Sequence, residues 1–456
     1  MNWVKRMDST FTSLVGLYLL LMVLIGVYSS KKLKTLEDFL VAGRKLNLPL
    51  TSASLMATWT GAAAVTGYTG WIYEAGYSMM WIAVATTTSL LLIGLVLSKR
   101  LRKLSLLTVP DILEKYYDKR TKNGGAFLIA VYCIGIVSGE LLGGAHIMSA
   151  VLGWDFSTTL LLTAAIVIGY CLLGGLWAVA VTDLFQFLLL SCGLVIAVPF
   201  TLQKMGGWTL LHQQVGYLDP DHLNILGYIS FDMIVAWFII IFASNFIAPD
   251  IYQRMYAAKT GRTARLAMGL TGLWDVFLTV AAVILGMSAF VYFQGTVNPD
   301  LALPQLLIEL FPVGFSSFLM VTLMAVIMST ADSLLVVAGG TVCHDFLGFH
   351  KKSQLKWVRG FTLVCGLVSL GLCFYFESIM DSILFSSSVY AAALFIPVIS
   401  CFVWKKGTND AAFYSCVGGG VVTILWRILQ VGLNPVIPGI CVCFFLFVGI
   451  SVWQTR

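Results

Sequence analysis

The sequence predicts an all-α protein that crosses a membrane many times, and three observations carry that prediction. Hydrophobic residues make up 59% of the chain and charged ones 11%, with a mean hydropathy of +0.90, a balance that belongs to a polytopic membrane protein. Apolar stretches of about 18–25 residues, the length a helix needs to cross a bilayer, recur from end to end. The few polar residues within them are gathered, above all in Met324-Ala-Val-Ile-Met-Ser-Thr-Ala-Asp-Ser333.

Thirteen transmembrane helices are expected, near 10–30, 47–73, 77–98, 125–151, 157–173, 177–202, 229–253, 267–293, 314–341, 357–376, 381–404, 411–430 and 437–454. The first runs into Lys31, Lys32 and Lys34 and lacks a small-residue cleavage site, so it reads as a retained helix. No soluble domain is left over, and residues 1–456 form a single membrane domain. Basic residues sort by side. With the N-terminus outside, the inner loops hold Arg44 and Lys45, the run from Lys99 through Lys122, then Arg254, Lys259, Arg262 and Arg265, then Lys351, Lys352, Lys356 and Arg359, then Lys405 and Lys406. Outer loops hold almost none, which sets the C-terminus on the cytoplasmic side. The net charge of +6 therefore reports membrane orientation and not a nucleic-acid partner. All ten cysteines lie in or beside apolar stretches and form no disulfide framework. No Asn-x-Ser/Thr sequon occurs, which favours a bacterial inner membrane.

Two spans are interrupted. In Ser54-Leu-Met-Ala-Thr-Trp-Thr-Gly-Ala-Ala-Ala-Val-Thr-Gly67, small and hydroxylic residues with Gly61, Gly67 and the following Gly70 can open the helix, and unwound backbone at membrane depth persists only where it lines a cavity or binds something. A close-packing seam of small residues is the structural alternative. In Phe242-Ala-Ser-Asn-Phe-Ile-Ala-Pro-Asp-Ile-Tyr-Gln-Arg254, Pro249 ends or kinks the helix and Asn245 offers a polar side chain at the break. Interruptions at matching positions of two five-span halves, 47–202 and 229–404, are the pattern of inverted-repeat carriers. Residues 10–30 then form one extra helix before the halves, and 411–454 two after them.

Within the ninth span, Ser329, Asp332 and Ser333 share one helix face, with Thr330 one step round. This set of hard oxygen donors suits an alkali cation better than a transition metal; a hydroxyl face packed on a neighbouring helix would leave Asp332 unexplained. Asp183 and Gln186 sit about two turns into the sixth span, where an acid can also complement a helix dipole. Glu140 lies mid-span beside Gly143 and Gly144, poised for a solute or held by His146 or a hydroxyl. Ser386, Ser387, Ser388 and Tyr390 in the eleventh span suit a pathway or interhelical hydrogen bonds, and His146 reads as structural.

These motifs in this order resemble the sodium:solute symporter family over essentially the whole chain: Gly43-Arg44, Gly174-Gly175, Thr182-Asp183-Leu-Phe-Gln186, Tyr252-Gln253-Arg254 and Met328-Ser329-Thr330-Ala-Asp332-Ser333. The resemblance implies a LeuT-like core of two inverted five-helix repeats. It implies a sodium site formed by the carbonyls of Ala57, Thr60 and Val326 with the hydroxyls of Ser329 and Thr330, and a second one around Asp183, Ser329 and Ser333. Asp332 stands where some two-sodium members have serine, so the second site becomes Asp183, Ser329, Asp332 and Ser333, with a proton as an alternative ion. Within the family, Ala57-Thr-Trp59, Gly139-Glu140, Ser329-Thr-Ala-Asp-Ser333 and Lys406-Gly-Thr-Asn409 are most similar to the choline transporters, though Gly143 and Ala248 stand where that branch has aromatic residues.

The expected function is sodium-coupled import of a small organic solute by alternating access. Solute would be bound near Trp59, Gly61, Glu140 and Asn245, with Trp81 and Tyr390 as further candidates. An organic cation, an amino acid or other zwitterion, and a sugar all stay open. Na+ is the one cofactor expected, the lipid bilayer and the solute the partners, and no obligate protein partner is evident. A sodium-dependent sensor or channel on the same core is the alternative. A membrane-embedded transferase would call for a histidine and acid constellation that five scattered histidines do not supply, so no enzyme is expected.

Overall fold

In hydrocarbon a backbone must satisfy its own polar groups, and a helix does so without a partner strand. Among the described residues of the computed structural model (2–30, 35–172, 175–348, 354–376, 378–404, 406–430 and 432–455) every regular element is helical, apart from one isolated parallel bridge between Leu46 and Ala258. Lys31, Lys32, Lys34, Gly174, Lys351, Lys352 and Lys405 lie outside the described residues.

Eleven helical stretches are long and apolar enough to cross a membrane, against the thirteen spans expected. The difference arises at two places. The second expected span is split, its first half Leu48–Trp59 being only 12 residues long. Its second half runs on with the third as one helical stretch of 42 residues, Ala63–Leu104. The fifth, Phe156–Cys171, has 16 residues, about 24 Å at 1.5 Å per residue and short of a hydrocarbon core of about 30 Å.

The Val313–Thr341 helix is the axis of the molecule, buried along almost its entire length. Around it pack Lys119–Leu152, Leu176–Lys204, Gln354–Leu372 and the N-terminal helix Asn2–Ser30. Such all-round burial explains why this helix is apolar on every face and why its few hydroxyls and its acid have to find partners. The last two helices, Asn409–Ile428 and Val436–Thr455, pack on each other and on Ile379–Val403.

The end bearing the basic residues is tied shut by backbone and charge. The Leu46 N–H donates to the Ala257 carbonyl at 3.1 Å and the Lys259 N–H to the Leu46 carbonyl at 2.8 Å, joining the chain before the first interrupted helix to the chain after the second. Arg44, at a left-handed φ of 58°, donates to the Ser105 and Leu106 carbonyls at 2.8 and 3.2 Å and to Glu37 at 2.7 Å. Lys122 reaches Asp111 at 2.9 Å and Glu114 at 2.6 Å. Burial pushes the Asp111 carboxyl up, but the adjacent Lys122 ammonium more than offsets this and holds it below the usual carboxylate range.

A close backbone approach fixes the C-terminal pair. A Cβ on Gly419 would strike the Ala392 carbonyl oxygen and lie 2.9 Å from the Cys443 Cβ. Backbone cannot yield as a side chain can, so Gly419→Leu is expected to destabilise by about 1–3 kcal/mol; thermal unfolding of the purified protein checks this, and an unchanged melting temperature would refute the packing.

Candidate functional site

Breaking a helix inside a membrane leaves orphan carbonyls on one half and orphan N–H groups on the other. Leu48–Trp59 ends at Thr60, whose φ of −91° and ψ of 69° leave the helix, and helical structure resumes at Ala62. Two neighbouring helices supply the missing partners. From Val313–Thr341, the Ser329 hydroxyl donates to the Ala57 carbonyl at 3.0 Å and the Thr330 hydroxyl to the Thr58 carbonyl at 2.9 Å. From Lys119–Leu152, Glu140 Oε2 accepts from the Ala62 N–H at 2.8 Å. Both hydroxyls also lie near the Val326 carbonyl, at 2.6 Å for Ser329 and 3.5 Å for Thr330. Two hydroxyls and three carbonyls thus converge on one spot, an all-oxygen set of the kind hard cations prefer.

The second interruption falls between Ala243–Phe246 and Pro249–Ala257. Here phenols do the same work: Tyr390 donates to the Ile247 carbonyl at 2.7 Å and Tyr252 to the Phe246 carbonyl at 3.0 Å. Asn245 donates to the Ser89 hydroxyl at 3.0 Å. Between the two breaks lies a cavity of about 160 Å³, lined among others by Trp59, Gly61, Tyr68, Tyr132, Glu140, Asn245, Asp250, Asp275 and Thr330. Its lining holds three carboxylates and no lysine, arginine or histidine. Asp275 accepts from Trp59 Nε1 at 3.1 Å and from the Thr87 hydroxyl at 2.5 Å, which fixes the indole at the edge of the break.

On the side of Leu48–Trp59 toward the basic end, Arg254 is fully buried. It donates to the hydroxyls of Ser54 at 2.8 Å, Ser333 at 2.6 Å and Thr58, and to Asp183 Oδ2 at 3.2 Å. Ser54 in turn donates to Asp183 Oδ2 at 2.6 Å.

The sequence candidates therefore divide. Ala57, Val326, Ser329 and Thr330 meet at the first break. Thr60 was expected to offer its carbonyl; its side chain donates to the Met56 carbonyl at 2.6 Å and accepts from Trp274 Nε1 at 2.9 Å, and the carbonyl that Thr330 meets is that of Thr58. Asp183 and Ser333 meet, but around Arg254; Asp332 lies next to Ser333, with Oδ1 3.4 Å from its hydroxyl. Trp59, Gly61, Glu140 and Asn245 all line the cavity. Trp81 is absent from its lining and donates to the Ile225 carbonyl at 3.0 Å. Tyr390 is fully buried beside the cavity, stacked at 4.3 Å on Tyr132, which does line it. His146 touches neither Glu140 nor the break; its Nε2 lies 3.8 Å from Asp300. Asp250 and Asp275, which line the cavity, were given no site role in the sequence reading, and Arg254 was read there only as a motif and inner-loop residue. Asp275 carried a usable signal, an acid in the middle of an apolar span.

Comparison with known proteins gives this arrangement its class. The fold matches a sodium-coupled sialic acid symporter solved in a substrate-bound outward-open state, with a TM-score of 0.85 at 18% identity over 97% of each chain. It also matches Mhp1, a nucleobase-cation-symport-1 family transporter in a closed conformation, with a TM-score of 0.62 at 15% identity over 91% of this chain and 94% of the other. The protein is thus an all-helical polytopic membrane protein of LeuT-like fold. Residues 39–419 match the model of the sodium:solute symporter family, and the chain belongs to that family. A sodium/proline symporter of Staphylococcus aureus is 26% identical over 94% of this chain and 90% of its own. The protein is a sodium-coupled solute symporter, a transporter and not an enzyme.

A Cβ on Gly61 would strike Glu140 Oε1 and lie 2.8 Å from the Thr330 hydroxyl oxygen. Gly61→Ala is therefore expected to lower sodium-driven uptake about tenfold or more, the equivalent of about 1.4 kcal/mol. Uptake by reconstituted protein tests this, and wild-type rates would show that the close approach is dispensable.

Proposed function

We propose that this symporter imports a small organic cation into a bacterial cell. The observation that carries this reading is the solute cavity: Glu140, Asp250 and Asp275 line it with the rings of Trp59, Tyr68 and Tyr132, and no basic side chain joins them. Carboxylates and aromatic faces both attract an ammonium group. A free carboxylate on the solute would find no arginine or lysine in the lining to pair with, so amino acids and acidic sugars fit less well. The likeness of Trp59 and Glu140 to the choline branch points the same way, while Gly143 and Ala248 leave choline itself a weaker fit.

In this reading one sodium binds between the two hydroxyls of Ser329 and Thr330 and the carbonyls at the first break. Thr58 then contributes its carbonyl in the part first given to Thr60, because Thr330 reaches Thr58. Sodium bridging Leu48–Trp59 to Val313–Thr341 steadies the arrangement in which solute binds between the breaks. Each sodium moving inward adds about 2.3 kcal/mol per 100 mV of membrane potential to its concentration gradient. Thirteen spans, an N-terminus outside and two five-helix repeats at 47–202 and 229–404 complete the proposal; the clustering of basic residues supports the orientation. Alternating access opens the tied basic end when ion and solute are both in place.

The test is uptake into vesicles holding the purified protein, under an imposed sodium gradient, across organic cations, zwitterions and sugars. Concentration of a cation and of no carboxylate-bearing solute supports the proposal; accumulation of proline, sialic acid or a neutral sugar instead would refute the substrate class. Ser329→Ala and Thr330→Ala are each expected to raise the sodium concentration for half-maximal uptake about tenfold, the scale of one hydrogen-bonding group at about 1.4 kcal/mol. Wild-type sodium dependence in both would move the ion elsewhere. Glu140→Gln is expected to weaken binding of the cation at unchanged sodium dependence; unchanged solute affinity would remove Glu140 from the site.

A further inference from the structure

Four side-chain oxygens from three helices converge on one buried point: Ser54 and Thr58 of Leu48–Trp59, Asp183 of Leu176–Lys204 and Ser333 of Val313–Thr341. All four residues are at most 4% exposed. The set is oxygen only and includes one carboxylate, which is what an alkali ion gathers. It does not wait for an ion. The guanidinium of Arg254, brought in by Pro249–Ala257 beyond the second break, donates to every one of them.

Taking a guanidinium out of water costs several kcal/mol unless its charge and its donors are met. Here three hydroxyls and one carboxylate oxygen meet them, and the Asp250 carbonyl accepts a further bond at 3.3 Å. The oxygens are thereby consumed. Of the residues expected to form a second sodium site, Asp183 and Ser333 spend oxygens on Arg254, and Ser329 donates to the Ala57 and Val326 carbonyls. What is left is Asp183 Oδ1 and Asp332 Oδ2, both buried without a hydrogen-bond partner. The latter residue borders a small cavity lined by Gly26, Tyr170, Cys171, Ala178 and Val179. Two carboxylate oxygens fall well short of the six or so that hard cations collect.

We propose that Arg254 is a tethered cation occupying the place of a second coupling ion, so that the carrier moves one sodium with each solute. The inference rests on the symport reading above and deepens it with a stoichiometry. It also gives the guanidinium a mechanical part. It links the helix after the second break to both halves of the ion-binding pair, so its contacts join the two repeats at full depth, where a mobile second sodium would have joined them only when bound.

The experiment is the ratio of radioactive sodium to solute taken up by vesicles holding the full-length wild-type protein, with the order of the sodium dependence measured alongside. One sodium per solute, with a Hill coefficient for sodium of about 1, is expected. Two per solute overturns the proposal while leaving sodium symport intact. No sodium-driven uptake at all would overturn the symport reading itself. A second arm uses Arg254→Gln, which removes the charge and frees the cage. Sodium-dependent thermal stabilisation of the purified variant is expected to follow two-site behaviour where the wild type follows one-site behaviour, because an ion that binds only the folded form raises the melting point. One-site stabilisation of a folded Arg254→Gln protein would overturn the cage as a cation place, and two sodium ions per solute in the wild type would overturn the stoichiometry even where the variant does not fold.

Discussion

A helix that opens inside a membrane persists only if other side chains take over its lost hydrogen bonds, and the architecture of this protein follows from that constraint. At the first break the Ala57 carbonyl keeps only a shared bond from the Thr60 N–H at 3.2 Å, and hydroxyls from another helix add to it and to Thr58: Ser329 donates to the Ala57 carbonyl and Thr330 to that of Thr58. On the far side of the gap the Ala62 N–H is met by Glu140. Leu48–Trp59, Val313–Thr341 and Lys119–Leu152 are therefore not merely packed together; each holds a polar atom that another requires. An unpaired amide in such surroundings costs on the order of 1–3 kcal/mol in proteins, so the three helices can part only in concert with something that takes over their bonds.

The same constraint governs the charges. Acids within spans are expensive and persist where they face a partner, an ion or a cavity. Asp183 faces Arg254, Asp275 faces Trp59 and Thr87, and Glu140 faces the backbone of the break. Each of these acids thus has a structural partner, and Glu140, Asp250 and Asp275 all line the cavity. The consequence is an asymmetry of composition: basic side chains gather at the closed basic end and in the Arg254 cage, and acidic side chains line the cavity between the breaks. A cationic solute would complete that pattern, and an anionic one would oppose it.

The membrane class, the two interruptions and the hydroxyl face at Ser329 to Ser333 were legible in the sequence because they rest on local properties, hydropathy and helical period. Trp59, Gly61 and Asn245 were named as aromatic, small or polar residues at a predicted break and Glu140 as an acid in mid-span, and all four line the cavity. What the sequence hid was partnership. Nothing local says that Arg254, read as one of a loop's basic residues, enters the protein to full depth; its helix begins at Pro249, and only the tertiary fold sets that helix against Ser54 and Ser333. Nor does spacing reveal that Tyr390 serves a carbonyl of the second break, or that Trp81 serves the loop at Ile225. The count of helices that meet the length and hydropathy of a span, eleven, falls below the thirteen expected because Leu48–Trp59 and Phe156–Cys171 are short and because Ala63–Leu104 runs on as one helical stretch, turning at Gly76 with a φ of 58°.

These contacts explain how an ion as small as sodium could govern so large a protein. In the proposed site the hydroxyls of Ser329 and Thr330 point their protons at the carbonyls of Ala57, Thr58 and Val326. A cation arriving among them would repel those protons and draw the lone pairs of hydroxyls and carbonyls alike. Hydrogen bonds between the two helices would be exchanged for ion–oxygen contacts between the same atoms, so no polar group would be left bare at any stage. The exchange is nearly balanced for the protein, yet the two sets of contacts differ in spacing, because a shared ion separates two oxygens that a hydrogen bond holds together. The width of the first break, and with it the position of Trp59 and Gly61 at the cavity wall, is then set by whether the ion is present. Coupling of this kind would need no long-range signal, since two carbonyls of the proposed ion site, those of Ala57 and Thr58, belong to the same turn of helix as Trp59 at the cavity wall.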